Sequence, residues 1–498
     1  MSMRRIVYSK PPKSVGYTHK PSIFNNFTHS CIPKPVSTTC DNPRMQAPQA
    51  PQPVSWRQAF WFWLKIGCIS FGGPAGQISL MHQELVERHR WLSERRFLHA
   101  LNYCMVLPGP EAQQLATYIG WLMHRSWGGV MAGALFVLPS LVILIGLSWV
   151  YASFGQVGWV AGLFYGIKPA VTAIVLQAAH RMGTRALQHP ALWTIAVSSF
   201  VAQWVFNLPF PVIIVAAAVC GVVLSRVRPE IFKAAQGHGS GHAGWGPALI
   251  DDDTPRPAHT HFSLQRLAQV LIAGALLAGL PMAMLVGLWG WEHTLAQMAW
   301  FFTKAALLTF GGAYAVLPYV YQGAVEHFGW VTAPQMIDGL ALGETTPGPL
   351  IMIVAFVGYL GGHASALLGP DHLFAAGALA ACVATWFTFL PSFIFILAGG
   401  PLVESSRNQL QLTAPLTAIT AAVVGVVLNL TLFLSYHVLW PQGYSAELVL
   451  GGVDGIALVM AGVAALALLR YKRSVMEVIA VCAFAGCAIQ MAAVWLKG

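Results

Sequence analysis

The chain has 498 residues, of which 56% are hydrophobic and 9% charged, and its mean hydropathy is +0.60. A soluble domain carries about a quarter of its residues as charge, so this composition excludes a soluble globular protein. The net charge of +10, from 28 Lys and Arg against 18 Asp and Glu, belongs to loops that set membrane orientation, and no nucleic-acid partner is expected.

Residues 1–53 are polar, proline-rich and basic, with Arg4, Arg5, Lys10, Lys13, Lys20, Lys34 and Arg44 against Asp41 alone. No apolar core follows Arg4-Arg5, so this is not a secretory signal. The reading is a disordered cytoplasmic tail.

Residues 54–227 form a first repeat. It opens Trp61-Phe62-Trp63-Leu64-Lys65, bends at Phe71-Gly72-Gly73-Pro74, passes the basic stretch 82–96, and reaches Pro108-Gly109-Pro110. Four long apolar segments follow, near 127–152, 158–180, 190–208 and 210–225. Residues 228–262 read as a polar cytoplasmic linker. Its Gly237-His238-Gly239-Ser240-Gly241-His242 run fits a flexible loop better than a metal site.

Residues 263–498 form a second repeat with one extra leading helix near 264–290. Trp300-Phe301-Phe302-Thr303-Lys304, Phe310-Gly311-Gly312, Trp330 and Pro347-Gly348-Pro349 all stand 239 positions after their first-half equivalents. Register held over that span marks an internal duplication. Leu138-Pro139-Ser140 recurs as Leu390-Pro391-Ser392 at an offset of 252, so the second half gains about 13 residues around 363–374.

The apolar segments, with their flanks, reach the roughly 20 residues a span needs. In lipid the backbone must satisfy its own hydrogen bonds, so they are helices; the short alternating segments of a β-barrel are missing. The expected fold is an all-α polytopic membrane protein. The eight cysteines, Cys31, Cys40, Cys68, Cys104, Cys220, Cys382, Cys482 and Cys487, form no CxxC pair. They read as small buried hydrophobes, with no disulfide framework and no metal cluster expected.

Loop charge predicts orientation. Arg181 and Arg185, then Arg226, Arg228 and Lys233, then Arg470, Lys472 and Arg473 mark cytoplasmic loops. Stretch 82–96 is basic, whereas its counterpart 322–334 has no Lys or Arg. The two halves are therefore expected to form an inverted repeat. With 82–96 and Arg125 both inside, the Pro-Gly-Pro element is a re-entrant hairpin. A full crossing as a broken helix leaves the inversion unchanged.

Pro-Gly-Pro in an apolar stretch breaks a helix, and broken backbone at membrane depth survives only inside protein or beside a water-filled cavity. The new helix after each break presents free N–H groups and a positive dipole end, a ready anion site. Two such ends near the midplane of an inverted repeat are where transporters bind substrate. The expected binding residues are Lys65 and Lys304, Gly72, Gly73, Gly311 and Gly312, Gly109 and Gly348, and Gln113, Thr345 and Thr346. Two lysines at matched repeat positions, where charge is costly, would balance one dianion. Glu111 and Glu344 flank the breaks and are the candidates for carrying protons.

The Phe-Gly-Gly-Pro-Ala-Gly-Gln run at 71–77, the Leu-Pro-Gly-Pro-Glu-Ala run at 107–112 and the Thr-Pro-Gly-Pro run at 346–349 resemble the chromate ion transporter family. The two-half length and paired Leu-Pro-Ser resemble its long, duplicated members. The likeness covers roughly residues 55–495. It implies a multi-pass bacterial inner-membrane protein that exports chromate, confers resistance and draws on the proton gradient. The second half departs from the pattern, with Ala313-Tyr314 in place of Pro74-Ala75 and Leu350 in place of Glu111. The implied partners are chromate or sulfate, protons, the lipid bilayer and a second copy in a homodimer; no cofactor is expected. Composition alone does not separate chromate from sulfate, so a sulfate or related oxyanion permease stays open, as does a passive anion channel. An enzyme is not expected: there is no HExxH, GxSxG or Walker loop and no Cys/His cluster.

Overall fold

The computed structural model describes residues 52–155, 157–228, 231, 247–255, 257–405, 413–443 and 452–497. Nearly all of the basic tail, the 237–242 glycine-histidine run and the loop carrying Arg407 lie outside the described residues. Every regular element among the described residues is a helix. Seven helices or helical stretches are long and apolar enough to cross a membrane: Glu111–Phe154, Gly158–Ala186, Phe210–Val227, Leu264–Trp289, Pro370–Glu404, Ala414–Leu439 and Val475–Ala492. The chain is a multi-pass membrane protein.

In chain order the first half holds α1 (Trp56–Ile69), α2 (Gly73–His82) running into a π-turn (Gln83–Arg88), α3 (Glu94–Val106), α4 (Glu111–Phe154), α5 (Gly158–Ala186), α6 (Pro190–Trp204) and α7 (Phe210–Val227). An additional helix, α8 (Leu264–Trp289), follows. The second half holds α9 (Thr294–Leu308), α10 (Ala313–Tyr321) with its own π-turn (Gln322–His327), α11 (Ala333–Thr345), α12 (Ile353–Ala364), α13 (Leu373–Ser405), α14 (Thr413–Leu439), α15 (Gly455–Leu469) and α16 (Val475–Lys497).

The offset of 239 is visible in the elements. Both π-turns begin and end at equivalent residues, and α3 and α11 run between equivalent ends. Both of those helices are started by a hydroxyl: Ser93 accepts from Arg96 N and Thr332 from Gln335 N. The halves differ after Pro-Gly-Pro. In the first, α4 runs on for 44 residues through a break at His124 and Arg125, where Arg125 has φ 57°. In the second, the extra residues near 363–374 part the same path into α12 and α13.

The short helices flank glycines that the backbone requires. Gly72, Gly73, Gly311 and Gly312 all have positive φ, between 70° and 101°, a region that side-chain-bearing residues rarely enter. Each Phe-Gly-Gly therefore ends one short helix and re-aims the next. At 9 to 15 residues, α1, α2, α3, α9, α10 and α11 span about 14 to 23 Å, less than the roughly 30 Å hydrocarbon core. Helix α8 sits at the edge, with Gly274 against Ile394 of α13 and Leu271, Ile272, Leu276 and Leu280 exposed. An apolar exposed face is what lipid requires.

Part of the linker docks rather than floating free. Leu249 N donates to Arg90 O at 2.9 Å, Ile250 N to Trp91 O at 3.0 Å, and Ser93 Oγ to Asp252 Oδ1 at 2.8 Å. His259 Nε2 lies 3.0 Å from Trp121 O, and burial holds this imidazole below its ordinary 6.5.

Two buried polar clusters tie one half to the other. Arg96 of α3 reaches Glu404 near the end of α13, Nη1 to Oε2 3.0 Å, and the Tyr118 hydroxyl donates to the other Glu404 oxygen. Asp338 of α11 takes Lys168 Nζ at 3.5 Å and the Tyr151 hydroxyl at 2.8 Å. Removing one partner of a buried pair strands the other charge at a cost of about 3–5 kcal/mol, whereas replacing both with apolar groups is often neutral. Arg96→Met alone is therefore expected to lower the thermal midpoint of the purified protein strongly, and Arg96→Met with Glu404→Leu to recover most of the loss. A strictly additive cycle would show that the pair carries no coupling.

Candidate functional site

The broken stretches of the two halves cross and exchange backbone hydrogen bonds. Gly109 N donates to Thr309 O at 2.7 Å, and Gly348 N donates to Ser70 O at 2.8 Å. Gly109 and Gly348 are repeat equivalents, and so are Ser70 and Thr309. Each Pro-Gly-Pro thus anchors on the other half's Phe-Gly-Gly bend. Reciprocal contacts of this kind are the mark of a two-fold relation.

The same reciprocity recurs in side chains. A Cβ on Gly109 would collide with the Ser392 hydroxyl, and one on Gly348 with Ser140, the serines of the two Leu-Pro-Ser runs. Gln114 donates to Pro108 O at 2.7 Å and Gln77 donates to Gly348 O, so carboxamides close the remaining gaps at the crossing. The crossing is buried: Ser70, Gln113, Gln114, Ser140 and Ser392 are all fully buried.

Beside this crossing lies a cavity of about 890 Å³. Its wall contains both glycine bends (Gly72 and Gly73, Gly311 and Gly312), both glutamates (Glu111 and Glu344), and Arg181 and Arg185 from the last turns of α5. It extends past Leu192 at the start of α6 to Gln188 and Ile231. The Glu111 carboxylate stands 4.0 Å from where a Cβ on Gly312 would be. Glu344 accepts from the Tyr314 hydroxyl, which stands 4.0 Å from the equivalent point on Gly73. Each half's carboxyl therefore faces the other half's bend, one directly and one through a phenol. Both guanidinium-bearing residues are exposed to the cavity side, and among the described residues no carboxylate oxygen lies within 4.0 Å of either.

Of the residues singled out from sequence, Gly72, Gly73, Gly311, Gly312, Glu111 and Glu344 meet in this wall. Gly109 and Gly348 hold the crossing behind it. Gln113 bonds to Thr117, Thr345 to Leu342 O and Thr346 to Gly343 O, each within its own helix. Lys65 and Lys304 lie outside the cavity wall. Lys65 is exposed, with its Nζ 4.0 Å from Glu84, and Lys304 sits over the Trp300 ring at 5.6 Å. Sequence reasoning used Arg181 and Arg185 only as markers of a loop. Their signal was periodicity: Gln177, Arg181 and Arg185 recur every four residues and fall on one helix face.

The family description "Chromate transporter" matches residues 57–222 and again 296–487. The chain is 33% identical over 443 residues to the chromate transport protein of Pseudomonas aeruginosa, covering 88% of this chain and 93% of that protein. It is 28% identical over 404 residues to the chromate transport protein of Cupriavidus metallidurans, covering 81% and 87%. An uncharacterized transporter of Bacillus subtilis, YwrB, matches over 125 residues, 25% of this chain and 64% of that protein, at 26% identity. That relative is thus less than half as long as this chain. No solved structure matches.

The crossing generates a direct expectation. At Gly72, φ is 86° with nothing near a added Cβ, so Gly72→Ala should cost about 1–2 kcal/mol of backbone strain. Gly109→Ala and Gly348→Ala add a collision to that strain and should be markedly worse, in the tail above about 4 kcal/mol. Thermal unfolding of the purified variants ranks them; equal losses at all three glycines would contradict the crossing.

Proposed function

The chain belongs to the chromate transporter family, and from that premise we propose that it is a secondary carrier exporting chromate across the inner membrane, coupled to protons and conferring chromate resistance. The observation that carries this is the convergence of both bends, Glu111, Glu344, Arg181 and Arg185 on one cavity. A dianion needs two positive charges in a site partly withdrawn from water, and guanidinium suits the paired oxygens of a tetrahedral oxyanion. Glycine at the bends lets an oxyanion approach backbone N–H groups.

The carboxyls give the link to protons. An ionised Glu111 or Glu344 repels a dianion at the arginines, so a proton on either group and chromate in the cavity favour one another's binding. The driving force for export is available without nucleotide. Moving one charge across 100 mV is worth about 2.3 kcal/mol, so an inside-negative potential pushes a bare dianion outward by roughly twice that, and by one such unit less for each proton that travels with it.

Orientation follows from charge. The cavity wall carries Arg181 and Arg185 and reaches Gln188 at the α5–α6 junction and Ile231, three residues after Arg228, whereas the α6–α7 junction has no Lys or Arg. The positive-inside rule places this end of the cavity in the cytoplasm, where an exporter must collect its substrate. Combined with the two-fold crossing, opposite charge on the 82–96 and 322–334 stretches supports an axis in the membrane plane, hence an inverted repeat. A thiol introduced at Arg90 should label from the cytoplasmic face and one at Gly329 from the outer face; labelling of both from one face would refute the inversion.

Chromate uptake into inverted vesicles tests the site. Losing one charge-assisted contact costs about 1.5–3 kcal/mol, so Arg181→Gln and Arg185→Gln should each weaken apparent affinity roughly 10- to 150-fold. In Glu111→Gln and Glu344→Gln, apparent affinity should lose part of its dependence on pH, which in the parent protein strengthens toward acid. Lys65 and Lys304 are the rival cations. If Lys65→Ala weakens chromate more than Arg185→Gln does, the anion path runs along α1 instead.

A further inference from the structure

A second cavity, of about 320 Å³, lies at the far end of the same helices. Helix α6 joins the two: Leu192 near its start lines the first cavity, and Gln203 and Trp204 at its end line the second. Helix α14 does the same, with Thr417 and Thr420 in the first and Asn429 and Phe433 in the second. At 1.5 Å per residue, these positions stand roughly 13–24 Å apart along the helices. The second cavity is also the repeat partner of the first. Pro318 and Tyr321 line it, and their equivalents 239 residues earlier, Ser79 and His82, line the other.

Its chemistry is the opposite. The wall holds no Lys, Arg or His; it holds the carboxamides of Gln203, Asn207, Gln322 and Asn429, and one carboxylate, Glu326. The duplication shows what changed. In the first half, Glu87 stands where Glu326 stands in the second, and it contacts His82, Nδ1 to Oε1 3.2 Å, an imidazole that also meets Glu94. In the second half Tyr321 takes the place of that histidine, and among the described residues no basic group lies within 4.0 Å of Glu326. The carboxamide of Gln203 is 94% buried in this wall, and its oxygen has no hydrogen-bond donor. A buried acceptor left without a donor is costly, and a cation removes that cost.

We propose that this second cavity is a site for a monovalent metal cation of sodium's kind, bound by the Glu326 carboxylate and the carboxamide oxygens of Gln203 and Asn429. Oxygen donors select hard cations. A single carboxylate balances one positive charge and leaves a divalent ion under-neutralised. The placement of the site on the outer side rests on the orientation argued above; the binding itself does not. On that orientation, the wall while empty of cation is negative and disfavours chromate at the exit.

The experiment uses the full-length protein in detergent at constant pH and ionic strength, melted in NaCl against choline chloride. A ligand that binds only the folded form raises the midpoint with its concentration. Sodium should give a saturable rise, Glu326→Gln should weaken its apparent affinity at least tenfold, and Gln203→Leu should weaken it less. Equal melting in sodium and choline, or an unaltered sodium response in Glu326→Gln, overturns the proposal. So does calcium acting at far lower concentration through Glu326. Because chromate is absent, a parent protein that binds sodium but moves no chromate would sink the transport reading and leave this one standing. Transport without a sodium response would do the reverse.

Discussion

The structure depends on one pair of hydrogen bonds, Gly109 N to Thr309 O and Gly348 N to Ser70 O. Two helices are broken in an apolar protein, and each break frees backbone groups that lipid cannot satisfy. Each half solves this with the other's bend. Neither half can then fold its centre alone, because its freed groups have partners only across the interface. The glycines follow from the same constraint. The carbonyl of Ser70 or Thr309 must be met at hydrogen-bond distance, and a side chain on Gly109 or Gly348 would strike the opposing serine. The cavity with the arginines and glutamates lies beside this crossing, not within it.

Much of this was legible in the sequence because the constraint repeats. The offset of 239 located both bends and both breaks, and the glutamates beside them proved to share a cavity with the bends. The lysines read differently from sequence than in three dimensions. Recurrence of Lys65 and Lys304 reported the duplication, but it did not report which way the side chains point, and one reaches Glu84 while the other covers Trp300. At the offset of 252, Arg181 and Arg185 correspond to Phe433 and His437, so a search for repeated Lys or Arg passes over them. The reciprocal bonds were out of reach too, since backbone atoms carry no sequence signature.

Charge in the membrane is handled by pairing across the halves. Arg96 with Glu404 and Tyr118, and Asp338 with Lys168 and Tyr151, each join the helix before one break to the long helix or the core of the other half. Such pairs are weak evidence for stability, because desolvation offsets attraction. Their geometry is the informative part. They place a fixed, directional contact at α3 and another at α11, the two helices that lead into the crossing, so any motion of a break relative to the other half must strain one of them.

The two ends differ through the divergence of the halves rather than through the fold they share. A strict two-fold carrier would present the same chemistry at both ends. Here Glu111 follows the first break while Leu350 follows the second, and Glu344 precedes the second break while Met105 precedes the first. Both carboxyls consequently face one cavity, the one that also receives Arg181 and Arg185. At the other end His82 has become Tyr321, and the carboxylate at position 326 has lost its imidazole. Two arginines and two carboxyls line the first cavity, and one carboxylate with no Lys, Arg or His lines the second. A duplicated scaffold supplies two equivalent ends, and a handful of substitutions makes their chemistry differ.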